Sequence, residues 1–199
     1  MLSELLARLL YLSHPQVAID PAVPVPDWGL NETGRARVGA WIGAGAFAGV
    51  VRVVSSAERK AVETARPIAT ALGCPAEIRP RTHENDRSAT GFLPADAFEA
   101  TADAFFAAAG VSVFGWERAL DAQARIVAET ADLLKWDGMG DVLLVGHGAV
   151  GTLLLCHLAG WTISRRYDQP AGGGNLWAVE RPSGDLIHAW RPTETCAPR

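Results

Sequence analysis

Two histidines stand at the ends of apolar runs 133 residues apart: His14 in the stretch LLYLSHPQV and His147 in DVLLVGHGAV. An imidazole at a strand end can serve as nucleophile, proton carrier or anion ligand, because its unperturbed pKa lies close to neutrality. Pro15 follows His14 directly, lacks the N–H a strand would need, and so keeps the ring at the rim. His147 lies between Gly146 and Gly148 just before a helical pattern. Its side chain therefore shares space with the N–H groups that open a helix, a place that favours anions. Either histidine alone reads as a satisfied structural residue, whereas the pair at equivalent strand ends reads as functional. Arg59 and Lys60 fall in the first turn of a further helix, where cations oppose the macrodipole. A bound anion would remove that conflict, and plain solvation of two surface cations is the alternative. A zinc site from His14, His83 and His147 finds no support, since neither H-x-x-x-H nor H-E-x-x-H spacing occurs.

The elements that must position these side chains follow from periodicity. Strand-length apolar runs occur at Arg8–Ser13, Val50–Ser55 and Asp141–Gly146, with little polar alternation, as in strands covered on both faces of a mostly parallel sheet. Ala61, Ala65, Ile68 and Leu72 share one face of a helix for which Ser55 and Glu58 have capping-box spacing. Leu120, Ala124, Val127, Ala131 and Leu134 form a second apolar stripe, and Val150, Leu153, Leu154, His157 and Leu158 a third, all read as core. Near the C-terminus NLWAVERPSGDLIHAWRP reads as two strands around a Pro182-Ser183-Gly184 turn. The expected fold class is α/β, a three-layer α/β/α sandwich with a mostly parallel central sheet, formed as a single domain over residues 1–199. Ligands in such sheets bind at the carboxyl ends of the strands, where His14, Ser55, Ser56 and His147 fall.

Composition narrows the function classes. With 49% hydrophobic and 20% charged residues and a formal charge of -4, the chain shows no basic patch suited to a nucleic-acid backbone. The opening MLSELLARLL carries Glu4 and Arg8 and lacks a basic leader and a small-residue cleavage site, so it is not read as a signal peptide. No apolar run reaches membrane-span length. The 3 cysteines, Cys74, Cys156 and Cys196, form no C-x-x-C pair, which fits a reducing, cytoplasmic setting. GAGAFAG precedes a strand and lacks dinucleotide-binding spacing, PAGGGN reads as a turn into the last strands with a loop near the site as the alternative, and Arg165 and Arg166 of SRRYDQ read as a solvated charge run with contact to an anionic substrate as the other reading.

The segments YLSHPQV, DWGLNETGRARVGAW, SSAERKAVETA and LLVGHGAVGTLLL resemble those of the histidine phosphatase superfamily, the phosphoglycerate-mutase-like fold, the last two in spacing and order as well as residue type. The resemblance implies that His14 is the nucleophile that takes a phosphoryl group, that Glu84 of RTHENDRS, after the strand-like Glu77–Pro80, is the leaving-group acid, and that His147 bonds phosphoryl oxygens. No metal or other cofactor enters this scheme. Three positions depart from the pattern: Ser13 stands for the arginine before the nucleophile, Pro15 for the glycine after it, and Lys60 for a second arginine. A lysine is a point charge without the planar fork of arginine, so the phosphate cradle of Ser13 and Lys60 is weakened. Arg87 is the candidate replacement, with a surface ion pair to Asp86 or Glu84 as the other reading. His83, His157 and His188 are expected to be structural. The implied function is a phosphomonoester hydrolase acting through phosphohistidine on a small phosphorylated molecule or phosphopeptide. The alternative is a catalytically impaired protein that binds phosphate ligands on the same fold. Residues Thr90–Val113 are expected to set specificity, and nothing in the sequence fixes the oligomeric state.

Overall fold

A computed structural model describes residues 7–196. Met1–Leu6, where the reading against a signal peptide begins, lie outside the described residues. No described helix is long and apolar enough to cross a membrane.

Strands β1 (Arg8–Ser13), β2 (Val50–Ser56), β3 (Ala76–Arg79), β4 (Asp141–Gly146), β5 (Asn175–Glu180) and β6 (Leu186–Pro192) form one sheet in the order β3-β2-β4-β1-β5-β6. The pairings among β1 to β4 are parallel, and β5 and β6 add an antiparallel edge. Helices α1 (Glu32–Gly43) and α2 (Arg59–Leu72) cover one face; α3 (Ala95–Ala107), α4 (Ala119–Lys135) and α5 (Gly148–Leu158) cover the other. Side chains on a strand alternate between faces, so Leu9 and Tyr11 pack with α4 and α5 while Leu10 and Leu12 pack with α1 and α2. β4 is buried along its whole length, as its unbroken apolar sequence requires. The expected three-layer α/β fold is thus present, and the C-terminal pair of strands is an antiparallel hairpin.

Three local expectations are corrected. Ser55 does not cap α2, because Ser55 and Ser56 complete β2 and the N-cap position is Glu58, whose side chain makes no capping bond. In α4 the buried stripe is Ala119, Ala122, Ile126, Thr130 and Leu133, whereas Leu120 is exposed. Thr130 can occupy a core position because its hydroxyl donates to the Ile126 carbonyl at 2.8 Å, a satisfaction that an apolar pattern does not register. His157 lies in the last turn of α5 and is exposed, so it is not part of the apolar face.

Register brings the two strand-end histidines together. Ser13 is the parallel partner of Gly146, so the next residue of each strand, His14 and His147, leaves the sheet beside the other. The ring centroids lie 5.3 Å apart in an edge-to-face arrangement.

Candidate active site

His14 is fixed at three points. Its N–H donates to the Gly146 carbonyl at 3.0 Å, its carbonyl accepts from Gly174 N–H at 3.0 Å, and its ring Nδ1 lies 2.8 Å from the Pro15 carbonyl. A carbonyl can only accept, so Nδ1 carries the proton and Nε2 keeps its lone pair. Burial, aided by the Lys60 ammonium, lowers the imidazole pKa to about 4, so the ring is neutral at physiological pH. The loop PAGGGN is a wall of the site and not merely a turn. Gly173 sits at a φ of 62° with its missing Cβ 2.4 Å from the His14 carbonyl, so only glycine fits this approach.

His147 is fully buried behind His14 and does not itself line the cleft. The Tyr11 hydroxyl clamps its backbone, accepting from the His147 N–H at 3.0 Å and donating to its carbonyl at 3.1 Å. Nε2 lies 2.9 Å from Ser56 Oγ and 3.5 Å from Glu58 Oε1. Nδ1 is buried without a partner among the described residues, as is Nδ2 of Asn85, which lines the cleft. Burial lowers the His147 pKa well below its ordinary value, with Glu58 working in the opposite direction.

Glu84 occupies the anion position at the start of α5 expected for a ligand beside His147. Its carboxylate accepts from Ala149 N–H at 3.2 Å and Val150 N–H at 3.0 Å. Burial nevertheless raises its pKa, with Arg87 working against the rise and Glu58 adding to it. Gly148, whose N–H opens the helix ahead of those two, faces the cleft.

The cations divide into paired and unpaired. Lys60 lines the cleft, but its ammonium is buried, bonds Glu58, and donates to the Val25 carbonyl at 2.8 Å. Burial opposes the charge on Glu58, but His147, Lys60 and the Glu84 N–H hold its carboxyl well below the usual carboxylate range. Arg59 pairs with Glu63 at 2.7 Å. The macrodipole conflict at the start of α2 is therefore relieved by the chain's own carboxylates and gives no sign of a bound anion. Arg87 makes no ion pair with Asp86 or Glu84. It lines the cleft with its guanidinium carbon 5.0 Å from the Phe98 ring centre and 5.7 Å from that of Trp116.

Ser13 is buried and does not line the cleft, contrary to the expectation of a direct phosphate contact. Its Oγ accepts from Asn175 N–H at 3.0 Å and donates to Gln169 Oε1 at 2.5 Å. Asn175 Nδ2 also donates to that oxygen, at 3.1 Å, and to the Pro170 carbonyl at 2.9 Å. With Oε1 fixed by two donors, Gln169 Nε2 turns to the cleft, 2.2 Å from where a Cβ on Gly148 would lie. Gln169 and the hub role of Glu58 were not legible in the sequence; Glu58 had the spacing of a capping residue and Gln169 belonged to no motif.

His14, Lys60, Glu84, Arg87, Gly148 and Gln169 thus meet on one cleft of about 710 Å³. His83 points its Nδ1 at the Glu84 carbonyl, 2.6 Å away, and no group of three or more metal-ligating side chains clusters among the described residues. The arrangement can bind an anion against a neutral, tautomerically defined imidazole beside a protonatable carboxyl.

No curated protein matches the chain. Solved structures do. Mycobacterial hydrolase 1 superposes with a TM-score of 0.74 at 21% identity, covering 87% of this chain and 91% of that one. A mycobacterial glucosyl-3-phosphoglycerate phosphatase, in complex with inorganic phosphate, gives 0.73 at 23% identity over 93% and 94%. The alpha-ribazole phosphatase of Shigella flexneri gives 0.70 at 15% identity over 94% and 96%. At such identities the likeness is one of fold. The sequence model of the histidine phosphatase superfamily (branch 1) matches residues 21–183. That match begins after His14, whose place is given by the end of β1 beside His147. A match over most of the length, on a fold shared with phosphatases of this architecture, means that the chain belongs to the histidine phosphatase superfamily, branch 1.

Proposed function

We propose that the protein hydrolyses phosphomonoesters through a phosphohistidine on His14. The observation that carries this reading is the His14 ring, proton-bearing at Nδ1, with a free Nε2 and a pKa of about 4 at the floor of the cleft. Nε2 attacks phosphorus as the bond to the leaving oxygen breaks, and Glu84 gives that oxygen a proton. Water then attacks the phosphohistidine, returns a proton to Glu84, and inorganic phosphate leaves with Nε2 restored. The raised pKa of Glu84 supports its holding that proton. Arg87, the Gly148 N–H and Gln169 Nε2 face the phosphoryl oxygens, and Lys60 adds its charge from the cleft wall while Glu58 and the Val25 carbonyl hold its ammonium. His147 acts from behind His14, packed edge to face on that ring at 5.3 Å and in the neutral state that its burial favours. Ser13 acts indirectly, by orienting Gln169.

Quenching during turnover of an aryl phosphate should trap an acid-labile phosphoryl group on the peptide that holds His14. No trapped group should form in His14→Ala, and normal phosphate release by that variant would remove the assignment. A binding protein without turnover is the second reading, favoured by one observation: Ser13 is turned away and Lys60 is paired, so Arg87 is the main unpaired cation at the phosphate end. The three free thiols support a reducing compartment.

A further inference from the structure

The lining of the cleft is of two unlike kinds. Besides His14, Glu84 and the charged groups it is aromatic: Trp28 and Phe92 have ring centres 6.0 Å apart, and Phe98 and Trp116 likewise 6.0 Å apart. Neither indole N–H is available to a polar ligand. Trp28 Nε1 donates to the carbonyls of Asp20 at 2.9 Å and Val23 at 3.0 Å, and Trp116 Nε1 donates to Thr90 Oγ1 at 2.8 Å. Ile19, 63% exposed, extends the apolar rim. The charged lining residues besides Lys60, Glu84 and Arg87 are Glu99, Arg165 and Asp168, and the arginine is held by Glu99 at 2.5 Å, Asp103 at 2.9 Å and Asp168 at 3.3 Å. No unpaired cation among the described lining residues therefore faces the part of a substrate that lies beyond its phosphate. A second phosphate or a carboxylate placed there would meet aromatic faces and carboxylates.

Resting on the phosphatase reading, we infer that the substrate is the phosphomonoester of an apolar, flat, preferably aromatic alcohol with no second anionic group. The rings supply apolar area against the alcohol, and Arg87, stacked on Phe98, sits at the junction between that area and the phosphate.

Calorimetry with phosphonates tests the inference without turnover. 2-Naphthylmethylphosphonate should bind roughly tenfold to a hundredfold more tightly than methylphosphonate, the gain expected from burying one face of the ring system. 3-Phosphonopropionate should bind more weakly than methylphosphonate. Trp28→Ala and Phe92→Ala should each narrow the naphthyl-to-methyl ratio. Equal affinities, an unchanged ratio in both variants, tightest binding of 3-phosphonopropionate, or no binding of any phosphonate would each overturn the inference. Phosphate release from 2-(2-naphthyl)ethyl phosphate and glycerol 2-phosphate, both alkyl esters, runs alongside. Tight naphthyl binding without hydrolysis of either ester would leave the specificity standing and remove the phosphatase reading. Equal hydrolysis of the two esters with equal phosphonate affinities would do the reverse.

Discussion

Gln169 offers the sharpest test of the proposal that the site holds phosphate without the two arginines that the resemblance leads one to expect. Its Oε1 is taken by Ser13 Oγ at 2.5 Å and Asn175 Nδ2 at 3.1 Å, and Nε2 faces the cleft beside Gly148. Gln169→Leu keeps much of the volume and removes the donor. A hydrogen bond to a charged group contributes about 1.5–3 kcal/mol, so vanadate and phosphate affinity should fall roughly tenfold to a hundredfold. Leucine also leaves Ser13 and Asn175 each short of a partner, which lowers stability by an estimated ~1–3 kcal/mol, so the melting temperature must be followed in parallel. Gln169→Glu separates the two effects. A carboxylate still accepts from Ser13 and Asn175, so the anchor survives while a negative oxygen replaces Nε2. Its anion affinity should drop further than that of the leucine variant while its melting temperature stays closer to that of the parent. Ser13→Ala releases one of the two anchors and should give a smaller loss of affinity. Vanadate inhibition at fixed ionic strength reads all three variants. Parent-like inhibition constants in both Gln169 variants would refute the argument.

Glu84→Gln should slow hydrolysis of alkyl phosphates by about 10²–10⁴-fold and that of a nitrophenyl phosphate far less, since a good leaving group scarcely needs a proton; equal losses in steady-state assays would make Glu84 structural. Arg87→Ala should weaken vanadate roughly tenfold or more, because it removes the main unpaired guanidinium lining the cleft. The His14 imidazole titrates at about 4 in the folded chain against 6.5 ordinarily, so the unfolded chain binds more protons between those values and stability falls as pH is lowered from 6.5 to 4. Urea titrations across that window should show a shallower pH dependence in His14→Ala, and parallel curves would contradict the assignment. Gly173→Ala places a Cβ 2.4 Å from the His14 carbonyl, and both the melting temperature and phosphate release should drop.

The sequence by itself determined the layers and the strand-end positions of the two histidines. Unbroken apolar runs can be buried only as covered strands, and Pro15 and Gly148 end β1 and open α5 through local backbone geometry. These are short-range effects, so His14 and His147 at strand ends were readable from residues within a few positions of each. The register, the choice of stripe on α4 and the partners of each charge were decided only in three dimensions. Ser13 meets Gln169 across 156 residues of chain, and Glu84 meets Val150 across 66. A residue type says how many hydrogen bonds a side chain can make but not which group will be in reach. Lys60 therefore reaches the cleft with Glu58 and Val25 already holding it, and Glu84, reached through tertiary packing, fills the helix terminus that the sequence offered to a ligand.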